Sequence, residues 1–96
     1  MDILVTYDVN TLTKPGRARL RRVAKICEGH GQRVQFSVFE CTVNEAQMET
    51  LRNRLKKAIE PAEDSLRVYT LHGQREAVVE AYGRDHYRDF AEPLVI

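Results

Sequence analysis

The first eight residues place the strongest constraint on the fold. Residues 3–7 read Ile-Leu-Val-Thr-Tyr, and the run ends on Asp8. A short, almost wholly apolar run with β-branched residues is typical of a strand in the middle of a sheet. The sequence therefore predicts a strand over residues 2–8 that delivers the Asp8 carboxylate at its end. A carboxylate in such a place can hold a hard metal ion.

A basic helix is predicted to follow this strand. Thr13 suits the position before a helix, with Pro15 in the first turn, and Gly29 or Gly31 suits its end. Its apolar residues recur at helical spacing and give it a core-facing side. These residues are Leu20, Val23, Ala24 and Cys27.

The cations of this helix are regularly spaced. Residues 10–35 contain seven basic residues against one acid, a local charge of +6, so the rest of the chain carries −5 of the +1 total. Spacings of three and four place four of the cations on one stripe away from the core. This stripe consists of Lys14, Arg17, Arg21 and Lys25. An anionic partner is one interpretation, and a solvated helix face is the commoner cause of such a run. Arg19 and Arg22 lie off the stripe, and Arg22 is expected to pair with Glu28, solvent or phosphate.

The centre of the chain predicts a hairpin and a second helix. Residues 33–43 are rich in strand formers, but their apolar phase slips near Phe36 and Ser37, which indicates a bulge or a tight turn. Asn44 and Gln47 have the spacing of a capping box. The helix after them is expected to stop at Pro61, and its buried face is predicted to consist of Met48, Leu51, Leu55, Ala58 and Ile59.

The second half completes a recognisable order of elements. Residues 65–71 predict a strand, 72–74 a turn, and 77–82 a further strand. The resulting order, β-α-β-β-α-β with an additional C-terminal strand, predicts a ferredoxin-like α/β sandwich over residues 1–96 as a single domain. Residues 84–96 form a tail ending in the apolar triplet Leu94, Val95 and Ile96, which is expected to add to the sheet of a second protomer.

Composition excludes several classes of protein. No segment approaches the ~20 apolar residues that a bilayer requires, and Met1-Asp2 lacks a basic flank, so a cytosolic protein is expected. Cys27 and Cys41 have no CxxC spacing and are predicted to be small core residues. His30, His72 and His86 share no metal-ligand spacing and are expected at the surface. A chain of 96 residues buries a modest core, which favours an oligomer.

Three motifs carry a family resemblance. YDV at 7–9, GRARLRRVAK at 16–25 and GQRVQFSVFEC at 31–41 closely resemble the CRISPR-associated Cas2 family, the small partner of the spacer integrase in prokaryotic adaptive immunity. The similarity covers essentially the whole chain. The ending EPLVI at 92–96 resembles the type I-C subgroup.

The resemblance implies a homodimer whose Asp8 carboxylates face each other across a cleft and share Mg²⁺ or another divalent cation such as Mn²⁺. It implies a metal-dependent endonuclease on RNA or duplex DNA, and an adaptor that holds double-stranded DNA for the integrase. Asp8 and Tyr7 would be the catalytic residues, with Asp8 the metal ligand. Arg33 and Phe39, with Ser37, would support the hairpin. The nucleic-acid-binding residues would be Lys14, Arg17, Arg19, Arg21, Lys25 and Arg33.

Several interpretations remain open from the sequence. Asp8 also fits a turn or a helix cap. Phe36 and Phe39 could form a base-stacking platform, but the aromatic motif of RNA-recognition domains is absent, which favours core packing for both. No second acid or histidine is placed as a general base. A non-catalytic DNA-binding scaffold and a toxin-like endoribonuclease of the same fold are the alternative functions.

Overall fold

The computed structural model describes residues 1–73 and 75–82. Four strands form one sheet in the order β2-β3-β1-β4, and every neighbouring pair is antiparallel. This is the ferredoxin-like arrangement, as predicted. The elements are β1 (Asp2–Asp8), α1 (Lys14–Glu28), β2 (Gly31–Gln35), β3 (Val38–Thr42), α2 (Glu45–Ala58), β4 (Ser65–Leu71) and α3 (Arg75–Val78).

Strand β1 lies in the middle of the sheet, between β3 and β4. Its burial alternates: Ile3, Val5 and Tyr7 are buried, whereas Leu4 and Thr6 are half-buried. The buried side chains join the cluster formed by α1 and α2, so both helices cover the same face of the sheet. Helices α1 and α2 leave the opposite face uncovered, and that face carries the even-numbered residues of β1 and ends at Asp8.

Helix α1 begins and ends where the sequence predicts. The Thr13 side chain accepts a hydrogen bond from the Gly16 backbone N–H at 3.2 Å, and Pro15 lies in the first turn. Gly29 caps the C-terminal end. Gly16 is buried, and a Cβ on it would collide with the Asn10 carbonyl oxygen, so the first turn of the helix packs tightly against the loop that follows Asp8.

The hairpin between β2 and β3 explains the slip in the apolar pattern. Gln35 pairs with Val38, which leaves Phe36 and Ser37 as a two-residue turn, and the register shifts between Arg33 and Gln35. The tight turn and the bulge that the sequence suggested as alternatives are therefore both present. Core packing is confirmed for Phe39, which is fully buried, but it is wrong for Phe36, whose position in the turn leaves it 90% exposed.

Helix α2 carries the predicted capping box. Asn44 Oδ1 accepts from the Gln47 N–H at 2.8 Å, and the Gln47 side chain accepts from the Asn44 N–H at 2.9 Å. The buried residues of α2 are Met48, Leu51, Leu55 and Ala58, with Ile59 partly buried just beyond.

The C-terminal part differs from the sequence prediction. The strand predicted over 77–82 is wrong: residues 75–78 form a short helix, and 79–82 belong to no strand. Gly73 adopts a φ of 89°, and the turn that it makes brings the Val78 side chain back beside Gly73. The alternating pattern of 77–82 therefore finds no strand partner among the described residues. The 84–96 tail, with His86 and the triplet Leu94, Val95 and Ile96, lies outside them.

Candidate nucleic-acid interface and metal-binding carboxylate

Asp8 ends β1 on the uncovered face of the sheet. It pairs with Ser65 of β4 and is exposed. Within the described part of the chain its carboxylate makes no hydrogen bond and no ion pair. An acid acting as a helix cap or turn anchor would accept hydrogen bonds from local N–H groups, and here Thr13 caps α1 instead. The Asp8 carboxylate is therefore free to bind a ligand.

The face that carries Asp8 is partly apolar. Leu4 pairs with Tyr69 and Thr6 pairs with Arg67 and Val38, so these side chains share that face. Tyr69 is 43% exposed although it lies in a sheet. Its hydroxyl accepts a hydrogen bond from the Arg67 guanidinium at 3.0 Å. An uncovered sheet face of this kind is suited to packing against another protein surface.

Tyr7 lies on the other face, beneath the hairpin turn. Its hydroxyl donates to the Phe36 carbonyl oxygen at 3.3 Å, and its backbone N–H donates to the Ser37 carbonyl oxygen at 3.1 Å. Its ring stacks near that of Phe39, with centroids 6.3 Å apart. Burial raises the pKa of the Tyr7 hydroxyl, and the Arg33 guanidinium partly opposes the rise. The structure therefore separates Tyr7 from Asp8 and makes it a clamp on the turn.

Arg33 lies over the same aromatic pair. Its guanidinium carbon is 5.3 Å from the centre of the Phe39 ring, and Glu28 is 3.8 Å from one of its nitrogens. The side chain remains 44% exposed. Arg33 thus covers the buried Phe39 ring while keeping part of its charge at the surface.

Arg19 is engaged in a local ion network. Its Nε donates to Asp64 Oδ2 at 2.8 Å and its Nη2 to Glu63 at 3.1 Å, which leaves 14% of the side chain exposed. Asp64 also accepts the backbone N–H groups of Asn10 and Glu60. This network fixes the loop after Asp8 to α1 and to the loop before β4. The contacts give Arg19 a structural role, and its phosphate-binding role stays a prediction.

Sequence reasoning missed Asp64. The hydrogen bond from Arg19 holds the pKa of this carboxyl below its usual range, with the N–H groups of Glu60 and Asn10 acting in the same direction against burial. The signal in the sequence is weak, because Arg19 and Asp64 are 45 residues apart. Only an acid placed immediately before a predicted strand could have indicated it.

The predicted stripe of cations is present on α1. Lys14, Arg17, Arg21 and Lys25 are all exposed. Arg17 donates to the Thr11 carbonyl oxygen at 3.2 Å, and none of the four has an acidic partner among the described residues. A row of cations that is not neutralised locally can contact successive phosphates of a nucleic acid. Arg22 is also exposed and does not pair with Glu28, which pairs with Arg33.

The other titratable groups form no second site in the described part of the chain. Cys27 and Cys41 are buried in the core, as predicted. Burial raises the pKa of Cys27 to about 12 and that of Cys41 to about 11, so both thiols stay protonated. His72 is exposed and His30 is half-buried. Residues 1–73 and 75–82 hold no cluster of three His, Cys, Asp or Glu side chains suited to a metal ion. Nor is any helix there long and apolar enough to cross a bilayer.

A ferredoxin-like sandwich with a free strand-end acid and a basic first helix defines a class of small α+β proteins, and comparisons with known proteins identify the family. The family model for the CRISPR associated protein Cas2 matches residues 1–77. The chain belongs to this family.

Relatives in this family match over the full length. The chain is 51% identical to the "CRISPR-associated endoribonuclease Cas2 1" of Moorella thermoacetica over 100% of both chains. It is 44% identical to the "CRISPR-associated endonuclease Cas2" of Halalkalibacterium halodurans over 99% of each. Among solved structures, Streptococcus pyogenes Cas2 superposes with a TM-score of 0.78 at 51% identity, covering 86% of this chain and 100% of that one. The type I-C subgroup stays a prediction.

Proposed function

We propose that the chain is a CRISPR adaptation protein that acts in the prokaryotic cytoplasm as a metal-dependent endonuclease on phosphodiester bonds of DNA or RNA. The observation that carries the proposal is the Asp8 carboxylate, which is exposed and has no partner among the described residues, at the end of the central strand. Relatives named as endoribonucleases and as an endonuclease support a nuclease.

A metal site at Asp8 requires a second protomer. One carboxylate is a weak ligand set for Mg²⁺ or Mn²⁺, but a two-fold axis beside Asp8 would present two, with waters completing the shell. The uncovered sheet face, with Leu4 and Tyr69 on it, is the surface through which a homodimer would bring the two acids together. The donor chemistry therefore fits a divalent cation shared across the dimer.

Different residues of the chain have different roles in this proposed activity. The metal, when bound, supplies Lewis-acid activation of a phosphate oxygen or of a water. Asp8 holds it, while Arg17 and the other cations of the stripe hold the phosphate backbone. The Arg19–Asp64 network fixes the loop beyond Asp8, so that the carboxylate keeps its position. The Tyr7 hydroxyl fixes the neighbouring turn through its hydrogen bond to the Phe36 carbonyl oxygen.

A second function has its own support. No histidine among the described residues adjoins Asp8 in the strand pairing, so no general base is evident there. The unneutralised stripe on α1 suits instead an adaptor that binds the backbone of double-stranded DNA and delivers it to the spacer integrase. The two functions are compatible, because the stripe and Asp8 are separate. A toxin-like endoribonuclease is not favoured, because the family match covers residues 1–77.

The test compares Asp8→Asn with Asp2→Asn. Both acids lie on the same face of β1, but Asp2 accepts a hydrogen bond from the Thr42 hydroxyl at 2.7 Å at the far end of the strand. Cleavage of RNA and duplex DNA by highly purified protein in Mg²⁺ should be lost in Asp8→Asn and kept in Asp2→Asn, with Tm unchanged in Asp8→Asn. Equal cleavage by wild type and Asp8→Asn would reject the nuclease and leave the adaptor.

A further inference from the structure

A pocket of about 520 Å³ lies between α1 and the turn of the β2–β3 hairpin. Its lining includes the buried residues Tyr7 and Ala24 and also Phe36, which is 90% exposed. This volume is within the ~300–1,000 Å³ of small-molecule and cofactor sites. The pocket is on the helix-covered side of the sheet and is thus distinct from the face that carries Asp8.

The charge of the pocket is positive. Arg21, Lys25 and Arg33 line it together with one acid, Glu28. Arg33 forms an ion pair with Glu28, with 3.8 Å between a guanidinium nitrogen and a carboxylate oxygen. Arg21 and Lys25 have no acidic partner in the part of the chain that the structure describes. Two free cations beside one pocket are complementary to an anionic ligand.

Phe36 gives the pocket a second kind of contact. A two-residue turn favours Gly, Asn, Asp, Pro or Ser, so the turn itself does not require an aromatic residue. The backbone beneath the ring is held by the Tyr7 hydroxyl on the Phe36 carbonyl and by the Tyr7 N–H on the Ser37 carbonyl. An exposed ring on a fixed backbone beside cations is the arrangement by which proteins stack a base and hold its phosphate.

We propose that this pocket binds one unpaired nucleotide of a single-stranded nucleic acid, with the base stacked on Phe36 and the phosphate held by Arg21 and Lys25. In a duplex the base faces are covered by neighbouring bases, so the pocket selects single strands over duplexes. The proposal rests on the proposed function and names its substrate class. The turn adjoins the end of β1 that carries Asp8, since Tyr7 contacts Ser37 directly. A strand bound here lies near that end of the sheet.

The test measures binding without cleavage. Single-stranded RNA and DNA oligonucleotides carrying 2-aminopurine are titrated in EDTA, because the fluorescence of that base is quenched on stacking. Phe36→Ala should weaken single-strand binding by about 5- to 150-fold, the usual range for losing one base–aromatic stack, and should abolish the quenching. Phe36→Tyr should restore both. Leu12→Ala is the matched control, since Leu12 is apolar and 87% exposed but does not line the pocket.

The duplex of the same sequence separates this pocket from general charge attraction. Its affinity should be the same for wild type, Phe36→Ala and Leu12→Ala. The proposal would be overturned if Phe36→Ala bound the single strand as tightly as wild type does. It would also be overturned if Phe36→Ala lost affinity for the single strand and the duplex equally. Equal cleavage by wild type and Asp8→Asn would reject the nuclease alone. Unchanged single-strand binding by Phe36→Ala would reject the pocket alone.

Discussion

The side chains of Tyr7 and Asp8 lie on opposite faces of the sheet, although the two residues are adjacent in the chain. Tyr7 is 5% exposed and its hydroxyl contacts the Phe36 carbonyl, whereas Asp8 is exposed on the uncovered face. The alternation of side chains along a strand makes this separation unavoidable. Tyr7 therefore holds the hairpin turn, whereas Asp8 is the one of the two whose side chain is accessible to a ligand.

Tyr7→Phe is expected to retain cleavage. The change removes the hydrogen bond to the Phe36 carbonyl but keeps the ring beside Phe39, so the free energy of unfolding should fall by about 1 kcal/mol. Tyr7→Ala also loses the ring and should cost ~3–5 kcal/mol, as for other large buried aromatics. Denaturant unfolding and a cleavage assay check both. A stable Tyr7→Phe that no longer cleaves would make the hydroxyl catalytic.

Several features of the fold were accessible from the sequence because their causes are local. Thr13, Pro15 and Gly29 mark the ends of α1, and Asn44 with Gln47 marks the start of α2, through contacts within a few residues. These signals, with the apolar spacing between them, were enough to predict the order of the six elements from β1 to β4. The strand over 77–82 was wrong because a pattern of alternation does not supply the hydrogen-bond partner that a strand needs.

The candidate site was less accessible because its contacts join distant segments. The motif around Asp8 indicated the acid, and helical spacing indicated the stripe that begins at Lys14. Neither signal showed that Arg19 would form an ion pair with Asp64, 45 residues away. Phe36 was assigned to the core because it is apolar, whereas its exposure follows from the register of the hairpin.

Arg17→Ala is expected to reduce the salt dependence of duplex DNA binding. If Arg17 contacts one phosphate in each protomer of a dimer, the slope of log affinity against log salt should flatten by about 0.9 per contact, or nearly two in total. Arg54→Ala is the control, because Arg54 is exposed on α2 and has no acidic partner among the described residues. An Arg17→Ala slope equal to that of wild type would mean that the stripe is only solvated.

Asp64→Asn is expected to lower stability in a pH-dependent way. The Arg19 hydrogen bond lowers the pKa of Asp64 in the folded protein, so its contribution is present above the unfolded pKa of about 4. It is lost as the pH falls through the lower folded value. Asp64→Asn should therefore melt several degrees below wild type at pH 7, with the gap narrowing below about pH 4. Glu49→Gln, on the exposed side of α2, should show no such gap.

Truncation after Glu92 is expected to weaken dimerisation and Mg²⁺ binding together. It removes the apolar residues Leu94, Val95 and Ile96, and three large aliphatic side chains are suited to burial against a second protomer. If they stabilise the two-fold arrangement, the paired Asp8 carboxylates should lose affinity for the metal as the dimer dissociates. Sedimentation and titration calorimetry measure the two effects. A full-length variant with Leu94 and Ile96 both replaced by Ser separates lost apolar contact from lost chain length. A truncated protein that remains dimeric at low micromolar concentration would show that the tail is not part of the dimer, and would favour docking to the integrase as its use.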